Sequence, residues 1–112
     1  MKSSTLTFLV PTWVIHVPWL QASGMALYPF ILVKKKHPSA ILLNHERIHL
    51  CQQLELGLVV FYIWYIAEYL WYRYYKGESS EQAYLHIRFE QEAYRNDEDL
   101  TYLRKRKCWR YT

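Results

Sequence analysis

Apolar and polar positions divide the chain into an extended front and a helical remainder. In residues 5–33 the apolar residues come in short β-branched or aromatic runs, Leu6–Val10, Trp13–Val17 and Met25–Val33, and Pro11, Pro18 and Pro29 exclude a long helix there. The last run ends in Phe30-Ile31-Leu32-Val33, the best strand, and Lys34–Pro38 follows as a turn. Ser39 is placed to cap a helix running through His45 and His49 to about Glu55. Gly57 marks a break or a close-packing point, and Leu58–Tyr75 reads as a second helical stretch, or a continuation of the first, closed by Gly77. Ser79 and Gln82 have capping-box spacing for the next helix, which carries His86, Glu90 and Tyr94 at four-residue steps. Asn96 then caps a last helix, with Asp97, Glu98 and Asp99 in its first turn and Arg104–Lys107 in its last, the order that suits the helix dipole. The expected fold is a single domain over residues 1–112, mainly α (α+β), with three to four packed helices behind a small N-terminal β element.

A chain of 112 residues has room for only a modest core, which a bound metal would help to stabilise. The 11 Tyr, 5 Trp and 4 Phe suit interfaces with lipid or protein, since Tyr and Trp have apolar bodies and polar tips. The net charge of +4 is concentrated in Lys34–Lys36 and in Arg104, Lys105, Arg106, Lys107 and Arg110. Short basic runs of this kind are expected to be solvated surface, and no nucleic-acid module accompanies them, so no nucleic-acid partner is expected. Two cysteines, Cys51 and Cys108, do not make a disulfide scaffold, and reduced thiols are expected. Lys2 and the apolar residues after it are interrupted by Pro11 and lack a cleavage site, so no signal peptide is expected.

Leu56–Ala67 carries no charge, but Glu68 follows it, and the uncharged stretch is shorter than the roughly 20 residues of a standard span. The expectation is a core helix that also makes peripheral membrane contact or a homo-oligomer contact through Leu56–Tyr75, in a cytoplasmic or membrane-associated protein. Mean hydropathy of −0.22 argues against a chain mostly embedded in lipid.

The chemistry concentrates in His45-Glu46-Arg47-Ile48-His49, an H-E-x-x-H run. On a helix, residues four apart share a face, so His45 and His49 can offer two imidazole nitrogens to one Zn2+. Glu46 is turned by about 100° from His45, at the rim of that face, where a carboxylate reaches a metal-bound water. A third protein ligand is needed. Glu55 lies ten residues after His45, but Gln52 stands where the chain would have to turn, and on a continuing helix Glu55 points about 80° away. The other source is the later segment Phe89-Glu90-Gln91-Glu92-Ala93-Tyr94. Gln52 lies on the metal-facing side, where it either hydrogen-bonds a ligand or substrate group or stands as a polar residue at a pocket edge. His86 shares a face with Glu90 and is read either as an oxyanion-stabilising group or as a half-buried surface histidine. Cys51 is turned away into the core, and Glu68 is an alternative buried partner for the site.

His45–Gln52 has the form H-E-x-x-H-x-x-Q, and Glu90–Ala93 has the form E-x-x-A. Together they resemble the gluzincin-type zincin metallopeptidases, particularly minimal ones related to the HtpX and CAAX-protease group, and His45–Glu55 with the aromatic stretch after it also resembles small bacterial proteins of about this length. The resemblance covers the two motifs and their helices, not the first 35 residues. It implies zinc-dependent hydrolysis of peptide bonds, with His45, His49 and Glu90 as metal ligands, Glu46 as general base and Glu92 as the alternative third ligand. It also implies an Asp after the alanine supporting a ligand histidine; here Tyr94 takes that place, which supplies no charge. The alternative is a non-catalytic helical protein stabilised by zinc that acts as a membrane-associated or protein-interaction module.

Overall fold

The computed structural model describes residues 13–111; the run Leu6–Val10 lies outside them. Three short strands form one sheet in the order β1-β3-β2: β1 Trp13–His16, β2 Gly24–Leu27 and β3 Phe30–Val33. β1 runs parallel to β3, with Trp13 beside Phe30 and His16 beside Val33, and β2 runs antiparallel to β3, with Gly24 beside Val33 and Leu27 beside Phe30. The run Met25–Val33 is therefore a hairpin and not one strand. It turns at Tyr28-Pro29, where proline has no N–H to give to a ladder.

α1, Ala40–Leu56, begins where expected: the Ser39 hydroxyl accepts from the Leu42 N–H at 3.1 Å. It ends at Gly57, whose φ of 85° and ψ of 145° suit glycine and little else. There the chain bends by 112° into α2, Leu58–Leu70, which continues as a π-helical turn over Trp71–Tyr75. Gly77, also at positive φ (73°), follows. α3, Ser80–His86, is capped by the Ser79 hydroxyl, which accepts from Gln82 N–H.

Two expectations about the later helices are corrected. The helix expected to carry His86, Glu90 and Tyr94 together is broken at Ile87, which takes an extended conformation (ψ 127°), and α4 starts afresh over Arg88–Asn96. Ile87 is wholly buried against Phe61, Phe89 and Tyr111, and burying it there turns α3 away from the line of α4. The new start is held by Glu68, which accepts from the Arg88 backbone N–H at 2.9 Å and pairs with its guanidinium. Asn96 does not cap a final helix: it is the last residue of α4, and its amide donates to the Glu92 carbonyl. The Asn44 amide on α1 donates to the carbonyls of Asp97 (2.8 Å) and Asp99 (3.0 Å), fixing this segment as a turn. Only Tyr102–Lys105 forms a further helix, α5, a single turn.

The sheet packs on α1, burying Ala26, Ile31 and Val33 with Ile48, Leu50, Cys51, Ala93, Tyr102 and Leu103. Arg106, expected on the solvated surface, is instead buried. Its guanidinium grips Glu55 through two bonds of 3.0 Å, and its Nε donates to Glu92 at 2.6 Å. No disulfide joins Cys51 and Cys108. Among the described residues no single helix is long and apolar enough to cross a membrane; α1 and α2 meet that test only as a bent pair.

Arg106→Ala would leave the Glu55 and Glu92 carboxylates buried without their shared cation, so it is expected to cost about 3–5 kcal/mol of unfolding free energy. Urea unfolding followed by far-ultraviolet circular dichroism measures this; a loss under about 1 kcal/mol would mean the pair contributes as an exposed one does.

Candidate metal centre

α1 and α4 bring the site together. His45 and His49 lie one turn apart on the face of α1 that meets α4, and each points Nε2 at Glu90 Oε1, at 3.0 and 3.2 Å. One ligand atom from each of the three residues lies within 4.8 Å of the others, and all three residues are buried. A tetrahedral zinc ion with bonds of about 2.0–2.1 Å holds its donors about 3.3 Å apart, so these separations fit one ion.

The groups behind the imidazoles determine which nitrogens are free. His45 Nδ1 lies 2.9 Å from Asp97 Oδ2, and His49 Nδ1 lies 2.8 Å from Gln52 Oε1. A carboxylate and an amide oxygen can only accept, so each Nδ1 carries a proton and donates it. In the neutral ring Nε2 is then a lone pair facing a carboxylate oxygen. His49 Nε2 has no hydrogen-bond partner, although Glu90 is 3.2 Å away. Two facing lone pairs repel unless a cation lies between them or the ring takes a second proton. Without a cation, burial works against charging His49, but the Glu90 carboxylate outweighs it and pushes the ring up to about 9. Burial also works against the Glu90 anion, yet the His49 ring beside it and the hydrogen bonds from His45 and Tyr65 hold its carboxyl well below the usual carboxylate range. The donor set of two neutral imidazoles and one carboxylate therefore suits zinc.

Glu90 Oε2 is engaged separately, accepting from the Tyr65 hydroxyl at 2.6 Å, which leaves Oε1 for the histidines or for an ion. The charged support absent at Tyr94 is supplied by Asp97, three residues further on, while the Tyr94 ring packs edge-on against His45 at 4.4 Å. The acidic run after Asn96 suggests a helix first turn for Asp97, whereas Asp97 follows the last residue of α4. Its position depends on Asn44, a contact 53 residues apart that no local pattern reveals. Tyr65 was likewise hidden in the aromatic stretch.

The remaining acidic and polar residues separate cleanly. Glu92 faces away from the histidines and accepts from Arg106, the Tyr102 hydroxyl (2.6 Å) and the Gln52 amide (2.9 Å). Gln52 thus joins the two clusters, accepting from His49 and donating to Glu92. Glu55 belongs to Arg106 and Glu68 to Arg88. His86 is exposed and bonds Glu78 at 2.6 Å, away from Glu90.

Two adjoining clefts open beside the cluster, of about 300 and 210 Å³. The larger is lined by His45, Tyr94 and Asp97 and the smaller by His49, Tyr65 and Glu90, and Glu46, Gly24 and Tyr84 line both. Burial raises the pKa of the Glu46 carboxyl, His49 and His45 lower it, and Glu90 raises it, with a net upward shift. A Cβ at Gly24 would lie 3.1 Å from Glu46 Oε2, so glycine leaves that carboxylate its room. Comparison with protein-family models, curated proteins and solved structures finds no match to this chain.

Zinc binding is expected to weaken about 10–100-fold in Asp97→Ala and to be unchanged in Tyr94→Phe, measured by competition with a chromophoric chelator. Equal losses in the two variants, or none in either, would contradict the role given to Asp97.

Proposed function

We propose that the chain is a zinc-dependent metallopeptidase of minimal gluzincin type, with His45, His49 and Glu90 as metal ligands and Glu46 as general base. The observation that carries the reading is the convergence of two Nε2 lone pairs and Glu90 Oε1 on one point, with Glu46 on the wall of the adjoining clefts. A bound zinc ion supplies a Lewis acid that polarises a carbonyl and makes a water acidic near neutral pH. Glu46 takes the proton of the attacking water and returns it to the leaving amine. Asp97 and Gln52 hold the rings in the tautomer that offers Nε2, and Tyr65 restrains Glu90. Tyr84, whose hydroxyl bonds that of Tyr94 at 3.0 Å, lines both clefts and takes the oxyanion role, while His86 lines neither and is bonded to Glu78.

Among the described residues no strand pairs with the outer edge of β2, which gives an extended peptide a place to pair. Lys34 N–H donates to Ser23 O, and by antiparallel alternation Gly24 and Ala26 turn their backbone groups outward. Ala26 O is already occupied by the Gln53 amide (2.8 Å) and the Tyr62 hydroxyl (2.6 Å), and Gln53 also accepts from Tyr28 N–H. The open edge is therefore short and centred on Gly24, next to Glu46.

That closed edge also favours a second reading, in which zinc only staples α1 to α4 and no peptide is cleaved. Glu46→Gln separates the two. In the peptidase it keeps stoichiometric zinc by elemental analysis and loses hydrolysis of a peptide library by about 10²–10⁴-fold. Wild-type protein with full zinc and no hydrolysis would leave the staple, and wild-type protein without zinc would end both readings.

A further inference from the structure

α2 has a second face that the site does not use. Phe61, Tyr65 and Glu68 point inward, to the aromatic core, Glu90 and Arg88. On the opposite side Val59 (70 % exposed), Val60, Ile63 (65 %), Ile66, Ala67 and Leu70 lie in water. At about 100° per residue they fill a band about 120° wide with no charged or hydrogen-bonding side chain in it. Beyond its end stand Trp71, Tyr74 and Tyr75, all exposed, with the Trp71 and Tyr75 rings stacked at 4.2 Å. A helix apolar all round is stable in water only when covered, and a contiguous exposed band of this kind marks a docking surface.

We propose that this face docks on an anionic lipid bilayer, with α2 lying in the interface plane. The charges select this partner. From Leu56 to Gly77 the one carboxylate is Glu68, which is on the inner face and paired with Arg88, and Glu78 just beyond is paired with His86, while Arg73 and Lys76 lie in the aromatic segment that follows the apolar band. Aliphatic side chains along the helix, Trp and Tyr at its end and cations beside them are what an acyl–headgroup boundary accepts. A second copy fits less well. Each chain carries a net +4, and a helix seam along Val59, Ile63, Ile66 and Leu70 would leave Val60 bare. Because the inner face of the same helix carries Tyr65 to Glu90, docking would put the His45–His49–Glu90 cluster about one helix diameter, ~10–12 Å, from the lipid. That placement does not depend on whether the site is catalytic.

The test is co-sedimentation of the full chain with vesicles of phosphatidylcholine alone and of phosphatidylcholine mixed with phosphatidylserine. Binding is expected to the mixed vesicles, to fall with added salt, and to be weaker on phosphatidylcholine. Ile63→Glu should lower it about tenfold or more, with the thermal melt unchanged because the side chain is outside the core. The double variant Arg73→Glu, Lys76→Glu should weaken binding to the mixed vesicles while leaving the apolar band intact. Absence of wild-type binding, or binding that neither variant changes, overturns the proposal. So does a dimer in sedimentation equilibrium that Ile63→Glu dissolves, which would give the face to a second copy.

Discussion

The carboxylate of Glu90, buried between two helices, constrains the rest of the structure. An anion removed from water needs partners for both oxygens, and the fold provides them from two helices: Tyr65 of α2 on one side, His45 and His49 of α1 on the other. Each imidazole then needs an acceptor behind it, which is why Asp97 and Gln52 are buried as well. Gln52 in turn needs an acceptor for its amide and finds Glu92, whose charge is balanced by Arg106, which also holds Glu55. One buried charge thus recruits a chain of polar groups that crosses the domain. Such a network is firm when every member is satisfied and costly when one is removed. The one gap in it is His49 Nε2, at the point where an ion would sit.

Local signals were readable in the sequence wherever the physics is local. Ser39 and Ser79 cap helices through bonds to residues three positions on, and Gly57 and Gly77 take backbone angles that other residues avoid. The pairing of His45 with His49 follows from helix geometry alone. The break at Ile87 was not readable, because nothing in Tyr84-Leu85-His86-Ile87 disfavours a helix; it is set by where the Ile87 side chain is buried. Asp97 was misread for a related reason. Three acidic residues after an asparagine look like a helix start, but Asn44 donates to the Asp97 and Asp99 carbonyls, which a helix would need for its own bonds. Arg106 sits in a run of basic residues and differs from its neighbours only in facing two carboxylates contributed by distant segments.

α1 shows why a functional helix can hide its amphipathic pattern. Its buried residues include Asn44, His45, Glu46, His49, Gln52 and Gln53 together with Ile48, Leu50 and Cys51. Polar and apolar positions are both inside, so no apolar stripe marks the inner face. Apart from Glu46, which lines the clefts, the polar ones each meet a defined partner: the Asp97 turn, Glu90, Glu92 or the edge of β2. Gln53 satisfies two backbone groups of that edge and so limits where a peptide can pair. The same contact that anchors the sheet to α1 defines how much of the sheet is open.

α2 presents the complementary case, a helix with little polar character whose two faces differ in hydroxyl groups. Tyr62 and Tyr65 turn inward, and each hydroxyl reaches an acceptor, the Ala26 carbonyl or Glu90. The outward positions Val59, Val60, Ile63 and Ile66 have no atom that could hydrogen-bond. Burying a tyrosine hydroxyl without a partner costs free energy, so the satisfied hydroxyls of Tyr62 and Tyr65 mark the side facing the polar site. The aliphatic side has no such requirement and gains nothing from water. The distribution of hydroxyls distinguishes the face that serves the site from the aliphatic face.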